Sequence, residues 1–309
     1  MVEEELARFS PEKDTFLTIG VFDGVHLGHK HLLSKLVEQA RQRDLLPGVV
    51  TFRQHPQELL SPQNRLAFLT DLTERSKLLK EEGVELVVML SFTAELRQLS
   101  ARQFVSLLVK YLRMRGLLIG PDFALGRDRE GTVTDLRPLG EEMGFTVAGV
   151  PPLIINGEPV SSTAIRAALA AGDVKKAQAL SNRPFSLHGK VVTGTGRGVG
   201  LGFPTANLGT DPWQAVPADG VYAAQAHVNG RVYRSVANIG TNPTFGGSKR
   251  TVEVYVLDYD GNLYGKEFKI DIIERLRDEK PFGSAGELAK QIEEDVKQGR
   301  IILQSIDGE

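Results

Sequence analysis

Two histidines three residues apart, His26 and His29, fall where an apolar run gives way to a helical repeat. Residues 15–22 read as a buried strand, and Leu32, Leu33, Leu36, Val37 and Ala40 then recur at helical spacing. His29 is therefore expected at or near a helix start, where free backbone N–H groups and the helix dipole favour an anion. Gly24 and Gly28 allow a tight turn and a close approach of backbone to ligand. Imidazoles, a helix end and a glycine turn together suit the phosphates of a nucleoside triphosphate.

The elements that must hold these residues follow from the surrounding pattern. Residues 46–52, 85–92, 117–120 and 145–150 read as strands. Asp71 with Glu74, and Ser100 with Gln103, have the spacing of helix starts. The second of these helices carries Phe104, Leu107, Leu108 and Tyr111 on one face. Strands alternating with helices imply a parallel sheet covered on both faces. Ligands of such sheets sit beyond the carboxyl ends of the strands.

Three further segments leave strands or open helices toward the same end. Thr51-Phe52-Arg53-Gln54-His55-Pro56 and Gly120-Pro121-Asp122-Phe123 each turn at a proline after a strand. Ser161-Ser162-Thr163-Ala164-Ile165-Arg166 opens a helix. Its hydroxyls can cap the helix and Arg166 can reach a phosphate. Taken singly, each has a plainer reading: an N-cap, a simple turn, or a histidine pair that packs or binds metal. Their joint occurrence in one α/β unit favours a nucleotide cleft.

After Arg183-Pro184-Phe185 the texture changes. Residues 189–193, 220–228, 231–239, 251–259 and 267–273 read as short strands, with Asn229-Gly230 and Asp260-Gly261 as turn signals. A small antiparallel barrel or sandwich is expected, with the domain boundary near residue 186. Ser284 and Glu287 start a terminal helix whose Leu288, Ile292 and Val296 can seal the barrel side. Gly194, Gly196, Gly198, Gly200 and Gly202 alternate just ahead of Phe203-Pro204-Thr205-Ala206-Asn207. This run lacks the Lys-Ser/Thr of a P-loop. It is either a plain hairpin loop or a glycine loop that folds over phosphates, with Thr205 and Asn207 as oxygen ligands for Mg²⁺.

Composition narrows the class. The 309 residues suit two domains, and 41% hydrophobic with 25% charged residues is ordinary for a soluble chain. Net charge is −2, and neither half is basic, which argues against nucleic acid as a partner. Cysteine is absent, so disulfides, zinc thiolates and a cysteine nucleophile are excluded. The acidic start Met1-Val2-Glu3-Glu4-Glu5 has no apolar core of a leader, and no run approaches the ~20 apolar residues of a membrane span. A cytoplasmic enzyme is the plain expectation.

Gly20-x-Phe22-Asp23-Gly24-x-His26-x-Gly28-His29, with Ser161-Ser162-Thr163-x-Ile165-Arg166 downstream, resembles the H-x-G-H nucleotidyltransferases. In detail it resembles the adenylyltransferase half of prokaryotic bifunctional riboflavin kinase/FAD synthetases. Gly202-Phe203-Pro204-Thr205-Ala206-Asn207, with Asn238-Ile239-Gly240, Pro243-Thr244-Phe245, Val252-Glu253-Val254 and Leu276-Arg277, is similar to riboflavin kinase. The resemblance implies a doubly wound parallel-sheet adenylyltransferase domain, 1–185, and an antiparallel β-barrel kinase domain, 186–309. Riboflavin would be phosphorylated by ATP, and FMN would then be adenylylated to FAD, both with Mg²⁺.

The same resemblance nominates residues for each step. His26 and His29 would stabilise charge on the ATP phosphates. Gly20, Phe22, Gly24, Gly28, Ser162, Thr163 and Arg166 would contact the same nucleotide. Asp23 would orient either the turn or a nucleotide hydroxyl. Asp122 and Phe123 would meet the flavin of FMN. In the second domain Glu253 would accept the proton of the ribityl hydroxyl. Gly196, Gly202, Pro204 and either Lys190 or Arg197 would hold ATP. Phe245 and Arg277 would face riboflavin. Related kinases often carry a basic residue where Val199 stands, and related adenylyltransferases often carry aromatics where Pro121 and Leu125 stand. The rival readings are a single-site nucleotidyltransferase for another phosphorylated substrate and a non-catalytic flavin-binding regulator.

Overall fold

A computed structural model describes every residue except 61, 62, 64, 65, 122, 195, 196, 245, 246, 308 and 309, and leaves out the side chains of 60, 197, 199, 242–244, 247–249 and 307. The chain divides into two compact units, Met1–Ser162 and Thr163–Glu309.

The first unit runs α1 (Val2–Ala7), β1 (Thr15–Ile19), α2 (Leu27–Gln42), β2 (Leu46–Phe52), α3 (Pro56–Leu60), α4 (Leu72–Glu81), β3 (Leu86–Leu90), α5 (Ala94–Gln98), α6 (Ala101–Leu112), β4 (Met114–Ile119), α7 (Val133–Met143), β5 (Thr146–Gly149), β6 (Ile154–Ile155) and β7 (Glu158–Pro159). Strands β1 to β5 form one sheet in the order β3-β2-β1-β4-β5, and every pairing is parallel. The strand order reverses at β1, which is the switch point where ligands of such sheets bind.

Both faces of β1 are buried, so it reads as an unbroken apolar-and-threonine run rather than an alternating one. Leu17 and Ile19 enter one core with Phe104, Val105, Leu108 and Leu112 of α6. Phe16 enters the other with Leu33, Leu36 and Ala40 of α2 and Leu79 of α4. Full burial of each such side chain contributes roughly 1.5–3 kcal/mol. The expected helix starts are present. Asp71 accepts the Glu74 N–H at 2.7 Å, and Ser100 with Gln103 forms a reciprocal capping box.

The second unit holds the rest of α8 (Ser162–Ala170), α9 (Val174–Ser181), β8 (Phe185–Val192), α10 (Arg197–Gly200), β9 (Ala206–Thr210), β10 (Gly220–Val228), β11 (Arg231–Thr244), β12 (Gly247–Val256), β13 (Glu267–Arg277) and α11 (Ala285–Asp307). The strands close into an antiparallel barrel in the order β10-β11-β12-β9-β8-β13, which excludes the sandwich. Its first strand starts at Phe185. The division between units falls earlier because α9, capped by Asp173, packs on β8 and β13. Strand β9 begins within the Pro-Thr-Ala-Asn stretch and runs on to Thr210, where sequence patterning signals no strand. Pairing with β8 and β12 overrides the weak local preference of its glycine and asparagine. Helix α11 begins as expected, with Ser284 accepting the Glu287 N–H at 3.2 Å, and packs on β10, β11 and β13.

Candidate active sites

The first site is built from the turn that leaves β1. Phe22, Gly24 and Val25 all have positive φ, at 53°, 82° and 35°. For two non-glycine residues this is costly, and burial of both side chains holds it in place. The turn delivers His26 as the N-cap of α2, its Nδ1 accepting the His29 N–H at 3.3 Å. The neutral His26 ring therefore carries its proton on Nε2. The two imidazoles stack with centroids 3.7 Å apart and planes 18° from parallel, and Phe22 lies 5.0 Å from His29. Gly28 is required here. A Cβ would stand 2.9 Å from the Val160 carbonyl and 3.1 Å from the His26 ring.

Other segments brace this turn. Ser162 Oγ donates to the Asp23 carbonyl at 2.9 Å, and Thr51 Oγ1 to the Val21 carbonyl at 2.9 Å. Asp23 is buried. Its carboxylate accepts the Leu69 and Thr70 N–H groups at 3.0 and 3.1 Å and lies 3.5 Å from Arg75 Nη2. These contacts point the Asp23 carboxylate at residues 69, 70 and 75. Thr163 and Arg166 follow on α8, beyond the division between units. Nδ1 of His55 accepts the Gln57 N–H at 3.1 Å, so this imidazole caps α3.

Beside the turn lies a largely apolar cavity of about 590 Å³, lined by Gly20, Phe52, Pro56, Phe92, Phe104 and Phe123 among others. Phe52 and Phe92 meet edge to face at 5.3 Å. Arg97, Asp128 and Arg129 supply its charges. Phe123 is among the lining residues; Asp122 lies outside the described residues. Phe104 was read on the apolar face of a helix and Phe92 at the end of a strand, and nothing marked either as a cavity wall. Thr70 and Arg75, which hold the turn, had no sequence signal at all.

The second site spans β9, β11 and β12. Glu253 is in register with Asn207 on one side and Asn238 on the other. Val252, Val254 and Val256 fill the barrel interior, while Glu253 is half-buried on the opposite strand face. That face is not open surface. Glu253 lines a cavity of about 580 Å³ with Asn238, Tyr255, Arg277, Phe282 and Leu288. A second cavity, about 470 Å³, is lined by Gly194, Pro204, Asn207, Asn262 and Tyr264. Thr205 lines both.

The remaining candidates of this unit are placed as follows. Gly202 has φ of 84° and is exposed, in a turn where the Phe203 N–H reaches the Gly198 carbonyl at 2.8 Å. Arg277 lines the larger cavity, but its guanidinium is committed to Asp295 at 2.8 and 2.9 Å and lies over the Phe282 ring at 5.8 Å. It builds the wall between β13 and α11. Lys190 is exposed, 3.7 Å from Glu267, and lines neither cavity. Gly196 and Phe245 lie outside the described residues, as does the Arg197 side chain.

Thr205, Asn207 and Asp260 line one cavity, and all three carry side-chain oxygens of the kind a hard cation takes. Among the described residues no cluster of three His, Cys, Asp or Glu side chains could cage a metal. Among the described residues no helix is long and apolar enough to cross a membrane.

Comparison with known proteins agrees with the two folds. A family described as FAD synthetase matches residues 9–164, and one described as riboflavin kinase matches residues 181–303. The bifunctional riboflavin kinase/FMN adenylyltransferase of Escherichia coli strain K12 is 40% identical, covering 93% of this chain and 92% of its own. The Bacillus subtilis strain 168 protein of the same name is 33% identical over 96% of this chain and 93% of its own. A Streptococcus pneumoniae crystal structure described as a macrolide-efflux protein superposes with a TM-score of 0.89 at 32% identity, covering 96% of each chain.

Proposed function

The chain belongs to the bifunctional riboflavin kinase/FMN adenylyltransferase family, and from that premise we propose how its residues divide the work. The two activities are phosphorylation of riboflavin to FMN and adenylylation of FMN to FAD, with ATP as co-substrate of each. Residues 1–185 carry adenylyl transfer and 186–309 carry the kinase. Both act in the cytoplasm.

In adenylyl transfer an FMN phosphate oxygen attacks the α-phosphorus of ATP. The new P–O bond forms as the α,β-bridging bond breaks, and pyrophosphate leaves. The nucleophile is already an anion, so no protein base is needed and the work is alignment and charge neutralisation. The Nε2–H of His26, His29 and the first amides of α2 meet the phosphates. Ser162 and Asp23 hold the turn. The aromatic cavity beside Gly20 takes the isoalloxazine.

In the kinase the ribityl 5′-hydroxyl attacks the γ-phosphorus and ADP leaves. An alcohol needs a proton acceptor, and Glu253 takes that role on this reading. The observation that carries this reading is Glu253 in register with Asn207, in the wall of a cavity that shares Thr205 with a second cavity. The cavity of Phe282 and Leu288 takes the flavin, and that of Pro204 and Tyr264 takes ATP. Thr205 and Asn207 would hold Mg²⁺, which when bound neutralises charge on the transferring phosphates.

The test is a coupled assay of the full chain with riboflavin, ATP and Mg²⁺, with products separated by chromatography. FMN should appear first and FAD after it, and a chelator in excess of Mg²⁺ should stop both. Turnover of riboflavin that persists in chelator would remove the metal from the kinase site.

A further inference from the structure

Beneath the two-histidine turn lies a buried polar knot. Arg75 is 5% exposed and Thr70 6%. Thr70 Oγ1 accepts the N–H of Gly24 at 3.0 Å and lies 3.4 Å from Asp23 Oδ1. Arg75 Nη2 donates to the Thr70 carbonyl at 3.3 Å, and Nη1 donates to the Phe52 carbonyl at 3.1 Å. Phe52 ends β2 and walls the aromatic cavity. One hydroxyl thus fixes the amide of Gly24, midway in the strained turn. One guanidinium ties that turn to the cavity wall.

A buried ion pair is poor evidence of stability, because apolar residues of equal volume often serve as well. What the knot supplies here is geometry. It spans two places that must keep one spacing while a flavin phosphate meets the α-phosphorus. We propose that Thr70 and Arg75 are positioning residues for adenylyl transfer, holding the phosphate-binding turn and the flavin cavity in one register. This rests on the adenylyl-transfer reading above.

The test separates position from stability within one side chain of the full-length protein. Thr70→Val keeps the volume and loses the hydroxyl. Its kcat for FAD formation from FMN should fall ~10–100-fold, the size of effect expected from misplacing reacting groups by about 1 Å. Its KM for ATP should move less than about threefold, since ground-state contacts remain. Thr70→Ser keeps the hydroxyl and loses a buried methyl, so its melting temperature should drop while kcat stays within about twofold. Riboflavin phosphorylation should be unchanged in both. Arg75→Lys, which cannot span both carbonyls with one planar fork, should raise the KM for FMN as well as lower kcat. A Thr70→Val chain with wild-type kcat, or kcat that follows melting temperature across the Thr70 pair, overturns the proposal; should the Arg75 variant not fold, the Thr70 pair still decides. A wild type that makes no FAD from FMN sinks the adenylyl-transfer reading and this inference with it.

Discussion

At the residue scale the two sites use different chemistry because their nucleophiles differ. A phosphate anion needs no base, so on the proposed reading the first site presents donors, His26 and His29, which stack at a helix start. An alcohol needs one, and on the same reading Glu253 supplies it. His29→Ala removes one donor to the phosphates, and FAD formation should fall at least ~10²-fold, the usual loss for one such group. FMN formation by the same chain should be unaffected. Glu253→Gln keeps the shape and loses the basicity. Steady-state phosphorylation of riboflavin should drop by ~10²–10⁴-fold. An unchanged rate would leave Glu253 as a wall residue.

At the element scale, caps and short helices position these side chains. Helix α1 is held to the end of β3 through Glu5, which accepts the Ser91 N–H at 2.8 Å and the Ser91 hydroxyl at 2.7 Å. Burial works to raise the Glu5 pKa. The two Ser91 bonds and the nearby Arg53 outweigh it and hold the carboxyl below the ordinary glutamate value of 4.5. A carboxylate depressed on folding stabilises at pH above its unfolded pKa and loses that contribution as pH falls through the folded one. Hydrogen exchange in residues 2–7 should therefore be slow and pH-independent, after correction for the intrinsic rate, above the ordinary glutamate range. It should accelerate as pH falls below that range. Glu5→Gln should exchange faster throughout and lose the acid transition. A transition that survives this substitution would assign it to another group.

At the scale of the whole molecule, one polypeptide holds two sites built on unrelated folds, a parallel sheet and a closed barrel. On the proposed division of labour, each site works without the other. A His29→Ala chain supplied with riboflavin should accumulate FMN and stop. A Glu253→Gln chain should make FAD only when FMN is supplied. An equimolar mixture of the two should restore FAD formation from riboflavin, with FMN passing through solution between molecules. If the mixture stayed as inactive as either variant, the two steps would have to occur on one chain.

Much of this was determined by sequence alone, because it is local. Helical spacing in α2, the caps at Asp71 and Ser100, the glycines of the turn and the alternation around Glu253 each sit within a few residues of one another. The polarity of the parallel sheet follows from the order of its strands and helices. Tertiary structure decided what depends on distant segments meeting. Asp23 reaches residues 69 and 70, Arg75 reaches Phe52, and Glu253 is set against Asn207 by strand pairing. The carboxylate of Asp23 turns inward, and Arg277 is occupied by Asp295, because buried charges must find partners wherever the fold supplies them. The cavities could not be read in advance either. Phe92 and Phe104 have the pattern of any core residue, and only the space left between packed elements makes them walls.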